Sequence, residues 1–148
     1  MEKYLSRPLQ RIICLLYGNE LPFRHLFKYI DGETTGPTSF MGEIGKILPV
    51  CHTFPLVTFD IIRVNDFPAI SESILKDLSE DQRYLYEISS LVSGTAGDES
   101  VVKRLPGPIA HSRWLTCACR ILRLYISTNK TESYYSKIHS LAEFIVKC

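Results

Sequence analysis

Ala110-His-Ser-Arg-Trp-Leu-Thr-Cys-Ala-Cys-Arg-Ile-Leu-Arg-Leu-Tyr-Ile-Ser127 is the stretch from which the fold is read. Turning about 100° per residue places Leu115, Ala118, Leu122, Tyr125 and Ile126 on one side of a helix. Arg113, Arg120 and Arg123 fall within about 80° of one another on the opposite side, with Thr116 between them. The spacing therefore predicts an amphipathic helix over 110–127. A stripe of three guanidiniums with Trp114 at its edge suits the grip of a nucleic-acid backbone and the stacking of a base. An ordinary solvated face with Trp114 packed in the core is the plainer reading of the same pattern.

Working outward, helical spacing recurs on both sides. Toward the C-terminus, Ser133 to Cys148 carries Ile138, Leu141, Ile145 and Cys148 on one face. Toward the N-terminus, Ser79-x-x-Gln82 is a capping-box pattern. It predicts a helix through about Ser93 with Tyr84, Leu85, Ile88 and Leu91 inward. A shorter helix is expected over 71–78. Near the start, Ser6 caps a predicted helix over 8–17, which Gly18-Asn19 should end. Pro22 then opens a second one over 22–30.

The remainder reads differently. From Gly32 to Phe54 glycine and proline predominate, so a flexible loop is expected at about 32–54, with one helical turn near Glu43 to Leu48. Pro55 to Ile62 is rich in β-branched and aromatic residues and is the best strand candidate, although one strand cannot form a stable sheet alone. The expected fold class is mainly α, one domain over 1–148, with a minor and isolated β segment near 55–62.

Composition narrows the function classes. The 148 residues are 45% hydrophobic and 22% charged, with a formal net charge of +1. These are values of a globular chain with no global field drawing it to nucleic acid or anionic lipid. No stretch approaches the roughly 18 apolar residues of a membrane span. The start, Met-Glu-Lys-Tyr-Leu-Ser-Arg-Pro, lacks the pattern of a secretory signal. Cys14, Cys51, Cys117, Cys119 and Cys148 make an odd count, read as reduced thiols in nucleus or cytoplasm.

No complete site for catalysis emerges from spacing. Cys117 and Cys119, two apart on a helix, point about 200° away from each other and cannot chelate one ion. Cys51-His52 has no second pair at ligand spacing. Gly42-x-x-Gly45-Lys46 lacks the spacing of a phosphate loop and the hydroxyl residue after the lysine. Neither a metal nor a cofactor is expected.

Two stretches carry a resemblance. Ile13-Cys-Leu-Leu-Tyr-Gly-Asn-Glu-Leu-Pro-Phe-Arg-His-Leu-Phe27, with Asp31-Gly-Glu-Thr-Thr-Gly-Pro37, resembles a family of transposon-derived invertebrate proteins. So does Gly107-Pro-Ile-Ala-His-Ser-Arg-Trp-Leu-Thr116, continuing through Arg120-Ile-Leu-Arg-Leu-Tyr125. The stretch from Ser79 to Ile88 fits as well. A more distant likeness is to hAT-type transposases, in which an RNase H-like core is interrupted by a helical insertion. Arg113-Trp114 matches the Arg-Trp motif of that insertion. The resemblance would give Trp114 a role in handling a flipped base. Cys14-x-x-Tyr17 matches that family's Cys-x-x-His only at the cysteine.

The likeness stops short of the chemistry. Such transposition needs three carboxylates around two metal ions. Too few residues precede Leu9 to carry the first two, and the third would lie beyond Cys148. Asp31, Asp60 and Asp66 are present, but no motif joins them. The expectation is thus a non-catalytic remnant, the middle piece of a transposase-like protein. It would bind DNA weakly through Arg113, Trp114, Arg120 and Arg123, or bind itself or another protein through exposed apolar surface. The alternative is a small helical protein–protein interaction module with no nucleic-acid role. Neither reading involves a membrane.

Overall fold

In the computed structural model, which describes residues 15–36, 39–109 and 114–147, everything is arranged around one helix. That helix, α5 (Trp114–Tyr125), is buried from Thr116 onward on every side. A helix enclosed all round must be central, because only neighbours on each flank can exclude water from its whole circumference. The neighbours are α4 (Glu80–Ser93), α6 (Tyr135–Lys147), α1 (Leu15–Asp31) and a 3-10 helix over Leu48–Thr53. Two short helices, α2 (Glu43–Ile47) and α3 (Glu72–Asp77), complete six α-helices among the described residues. The chain is mainly α.

Local sequence explains the helix ends. Ser79 accepts from the backbone N–H of Gln82, and the Gln82 side chain accepts from Ser79 N, the reciprocal cap expected from the sequence. Gly94 ends α4 at φ +72°, a conformation only glycine adopts without strain. Ser71 caps α3 by accepting from Ile74 N, without a reciprocal partner. The inward faces of α4 and α6 match the spacing in part, with Val92 and Ala142 buried in addition. Tyr84 and Ile88 on α4, and Ile138, Leu141 and Ile145 on α6, are buried. Leu85 and Leu91 lie half-buried against them.

Three expectations are corrected. No break occurs at Gly18-Asn19: α1 runs continuously from Leu15 to Asp31 with Pro22 inside it. The proline forgoes one helical hydrogen bond, and packing offsets this. Phe23 stacks on Phe144 of α6 at 6.2 Å and Phe27 meets Phe40 edge-on at 5.5 Å. The expected helix over 8–17 lies outside the described residues before Leu15, as do 110–113 and Cys148 of the two C-terminal helices.

The second correction concerns the β structure. Pro55–Ile62 is extended but joins no ladder. Its backbone serves helix ends instead. Val57 N donates to Ile126 O and Ile62 N to Val92 O, both at 3.0 Å, while Tyr125 Oη donates to Asp60 O at 2.8 Å. Carbonyls at helix C-termini have no partner within the helix, so an extended chain crossing two such ends satisfies both parties. Among the described residues the strands are β1 (Thr34–Gly36) and β2 (Ser39–Phe40), an antiparallel pair.

Third, the stretch 32–54 is not a loose loop. It holds that strand pair, α2 and the 3-10 helix, and its Ile44, Leu48 and Cys51 are fully buried. Asp31, the last residue of α1, anchors it. The carboxylate accepts from Ile44 N at 2.8 Å and Gly45 N at 2.7 Å, capping α2. Gly42 is required there, since a Cβ would lie 1.7 Å from the Asp31 carbonyl oxygen.

Candidate functional site

Among the residues of the expected DNA-binding face, Arg120 and Arg123 can be placed in full, and both are inside. Arg120 is 6% exposed and Arg123 is 1% exposed. Arg120 donates to four backbone carbonyls. Its Nε reaches Gly107 O at 2.7 Å, Nη1 reaches Leu48 O at 2.9 Å and Pro49 O at 3.1 Å, and Nη2 reaches Pro106 O at 3.2 Å. Arg123 Nη2 donates to Phe54 O at 2.8 Å and His52 O at 3.3 Å, and Nη1 donates to Ser127 Oγ. Arg113 lies outside the described residues, and Trp114 is the first residue of α5.

The solvated arginine stripe is therefore corrected to an internal one. The reason is geometric. The polar side of α5 faces the 3-10 helix and the turn at 105–108, whose carbonyls include the orphans of a helix C-terminus and lack the balancing N–H groups of Pro49 and Pro106. A guanidinium, with five donors in a planar fork, can satisfy several carbonyls at once and brings positive charge to a helix C-terminus. The sequence held two signals for this. Between Leu115 and Ile126 only Thr116, Arg120 and Arg123 are strongly polar, too narrow a stripe for a half-exposed helix. The proline-rich segments 48–49 and 105–108 supply acceptors in excess of donors.

Neither arginine has a carboxylate partner among the described residues. The polar lining around them is Cys51, Tyr84 and Cys119. Cys51 is fully buried, and burial pushes its thiol above the usual range, against the pull of the two guanidiniums. Cys119 Sγ lies 3.6 Å from Asp81 O. Both thiols are free. Burial likewise pushes the Tyr84 phenol upward. Such groups are packing and hydrogen-bonding elements, since a nucleophile would need a depressed pKa and access.

The three aspartates singled out in the sequence do not act together. Both oxygens of Asp31 are engaged in capping α2, and burial holds this carboxyl above its ordinary range despite the two backbone N–H groups. Asp60 binds Lys130 Nζ at 2.5 Å and accepts from Tyr135 Oη at 2.9 Å, which holds it below the usual carboxylate range. Asp66 is exposed. Among the described residues no three His, Cys, Asp or Glu side chains gather closely enough to hold a metal ion. No helix among them is long and apolar enough to cross a membrane.

What sequence reasoning missed is a groove beside α4 and α6. An open groove of 460 Å³ runs between α4, the C-terminal end of α6 and the extended segment 64–70. Its walls include Val64, Phe67, Ile70, Leu85, Ile145 and Val146. Phe67 packs against Tyr86 at 5.5 Å. Ile145 follows from the α6 spacing. Val64 to Ile70 has no periodicity to announce it, so the groove could not be found from pattern alone.

The chain matches no protein-family profile, no curated protein and no solved structure.

Proposed function

We propose that this chain is a non-catalytic helical interaction module, descended from a transposase-like protein, that binds an apolar segment of a protein partner. The observation that carries this reading is the open groove beside α4 and α6, which presents aliphatic and aromatic side chains to solvent. Concave apolar surface of this kind suits an amphipathic helix or extended peptide offering two or three apolar anchors. The commitment of Asp31 and Asp60 to structural partners supports a module without phosphoryl chemistry. Cys51 and Cys119, thiols outside any disulfide, support a reducing compartment, nucleus or cytoplasm.

DNA contact through Arg113, Trp114, Arg120 and Arg123 is the less favoured reading, because two of the four residues are engaged inside the protein. Anisotropy of labelled hairpin DNA across a salt series is expected to show no salt-dependent binding that Arg113→Ala removes.

The groove itself is tested by photo-crosslinking. A benzophenone side chain placed at Ile70 should yield discrete crosslinked products in cells, and Phe67→Asp should abolish them. A control position in the 3-10 helix over Glu99–Lys103 should yield none. Equal crosslinking at both positions, or indifference to Phe67→Asp, would defeat the proposal.

A further inference from the structure

Tyr84 Oη and Arg123 Nε are the buried side-chain polar atoms left without a hydrogen-bond partner among the described residues. Both terminal nitrogens of Arg123 already donate, to Ser127 Oγ and to the His52 and Phe54 carbonyls. Two orphaned donors in one core would each carry a desolvation penalty, and native proteins seldom leave such groups unmatched.

The helix register brings the two together. Cys119 Sγ on α5 lies 3.6 Å from Asp81 O on α4, which fixes one level of the interface. The segment between Val57 and Ile62 binds a carbonyl at the C-terminal end of each helix, at Ile126 and Val92. Were α4 and α5 antiparallel, those carbonyls would stand about 27 Å apart along the axes. Five residues of extended chain reach at most about 18 Å. The two helices therefore run the same way. Tyr84 then stands about 4.5 Å above the Asp81 level and Arg123 about 6 Å above the Cys119 level, at matching heights. Tyr84 and Arg123 are 3% and 1% exposed, so bulk solvent reaches neither.

We infer that Tyr84 Oη–H and Arg123 Nε–H converge on one buried single-atom hydrogen-bond acceptor, a water oxygen or a halide ion, held at the α4–α5 interface. Arg123 Nε–H can only donate, and with Tyr84 Oη–H turned to the same point the occupant accepts two hydrogen bonds. Water does so, and can donate onward to a thiol sulfur or a carbonyl. A halide does so and also balances the charge of Arg120 and Arg123, which have no carboxylate beside them among the described residues.

Thermal melts of wild type and Tyr84→Phe, in potassium chloride and in potassium gluconate at equal ionic strength, test the site. With a halide bound, wild type gains about 4 °C for each tenfold rise in chloride above its Kd, and Tyr84→Phe gains nothing. With water bound, chloride has no specific effect and Tyr84→Phe melts about 3 °C below wild type in both salts. Either result supports the site and names its occupant. Equal or higher melting of Tyr84→Phe in both salts, with no chloride effect on wild type, overturns it. Diffraction from bromide-soaked crystals supplies a second readout. A peak within hydrogen-bond distance of both atoms, anomalous for halide or plain for water, is expected, and continuous protein packing there contradicts the inference.

Discussion

The two flanks of the α4–α5–α6 stack reverse the usual relation between polarity and water. On one flank Arg120 and Arg123 are enclosed, with seven donated hydrogen bonds spread over Gly107, Leu48, Pro49, Pro106, His52, Phe54 and Ser127. On the other flank Phe67, Ile70 and Leu85 line a groove open to solvent. The difference teaches that side-chain polarity alone does not say which face meets water. A helix face is drawn toward whatever satisfies it, and irregular backbone rich in carbonyls satisfies arginine as well as solvent does.

Substitutions can break this contrast on the polar flank, where effects should be largest. Arg120→Ala strands four carbonyls away from water and is expected to cost about 3–5 kcal/mol in urea unfolding. Arg120→Lys retains the charge but has three donors on a flexible stem, so it should recover only part of that loss. A cost under about 1 kcal/mol for Arg120→Ala would mean that the carbonyls find solvent, and the enclosed flank would be a misreading.

The next effect sharpens how the carbonyl-rich segment is delivered to α5. Asp31→Ala removes the cap of α2 and should cost about 2 kcal/mol. Its pH signature has a definite sign. Burial raises the folded pKa above the ordinary 3.8, so the folded chain holds the proton more tightly than the unfolded chain does. Asp31 therefore contributes stability that is complete below pH 3.8 and is lost as pH rises through the raised folded value. Chemical denaturation across this window should show that falling limb in wild type, and Asp31→Asn should lack it. A limb of opposite slope assigned to Asp31 would show that its two backbone hydrogen bonds outweigh burial.

A smaller effect is expected where the extended segment crosses the end of α4. Gly94→Ala places a Cβ at φ +72° and 2.7 Å from Ile61, costing about 1–2 kcal/mol. Ile61 is half-exposed and can move aside, which keeps the penalty modest. Smallest of all, Lys130→Ala should leave the unfolding midpoint unchanged, since its pair with Asp60 is exposed to solvent.

How much of this was legible in the sequence follows the reach of each interaction. Elements decided within one or two turns were readable: the Ser79–Gln82 cap, the end of α4 near Ser93, the inward Ile138–Leu141–Ile145 stripe and the mainly helical class. Elements decided by distant partners were not. Pro55–Ile62 has strand composition, yet its partners are the ends of α4 and α5 rather than another strand. Gly18-Asn19 has the composition of a stop, yet the phenylalanine contacts of α1 carry the helix through. Arg120 and Arg123 were located on one face of the helical wheel and assigned to the wrong surroundings, because four of their acceptors, from Leu48 to Phe54, lie about 70 residues away in sequence. The groove depends on Val64–Ile70, which has no regular structure and hence no period to read.

Arginine-specific labelling of the native protein with phenylglyoxal, read by mass spectrometry peptide by peptide, tests the internal arginine face most directly. Arg24 and Arg63 are exposed and should react at once, whereas Arg120 and Arg123 should react only as the protein unfolds in denaturant. Labelling of Arg120 and Arg123 in the native state at the rate of Arg63 would place that face in water and contradict the account.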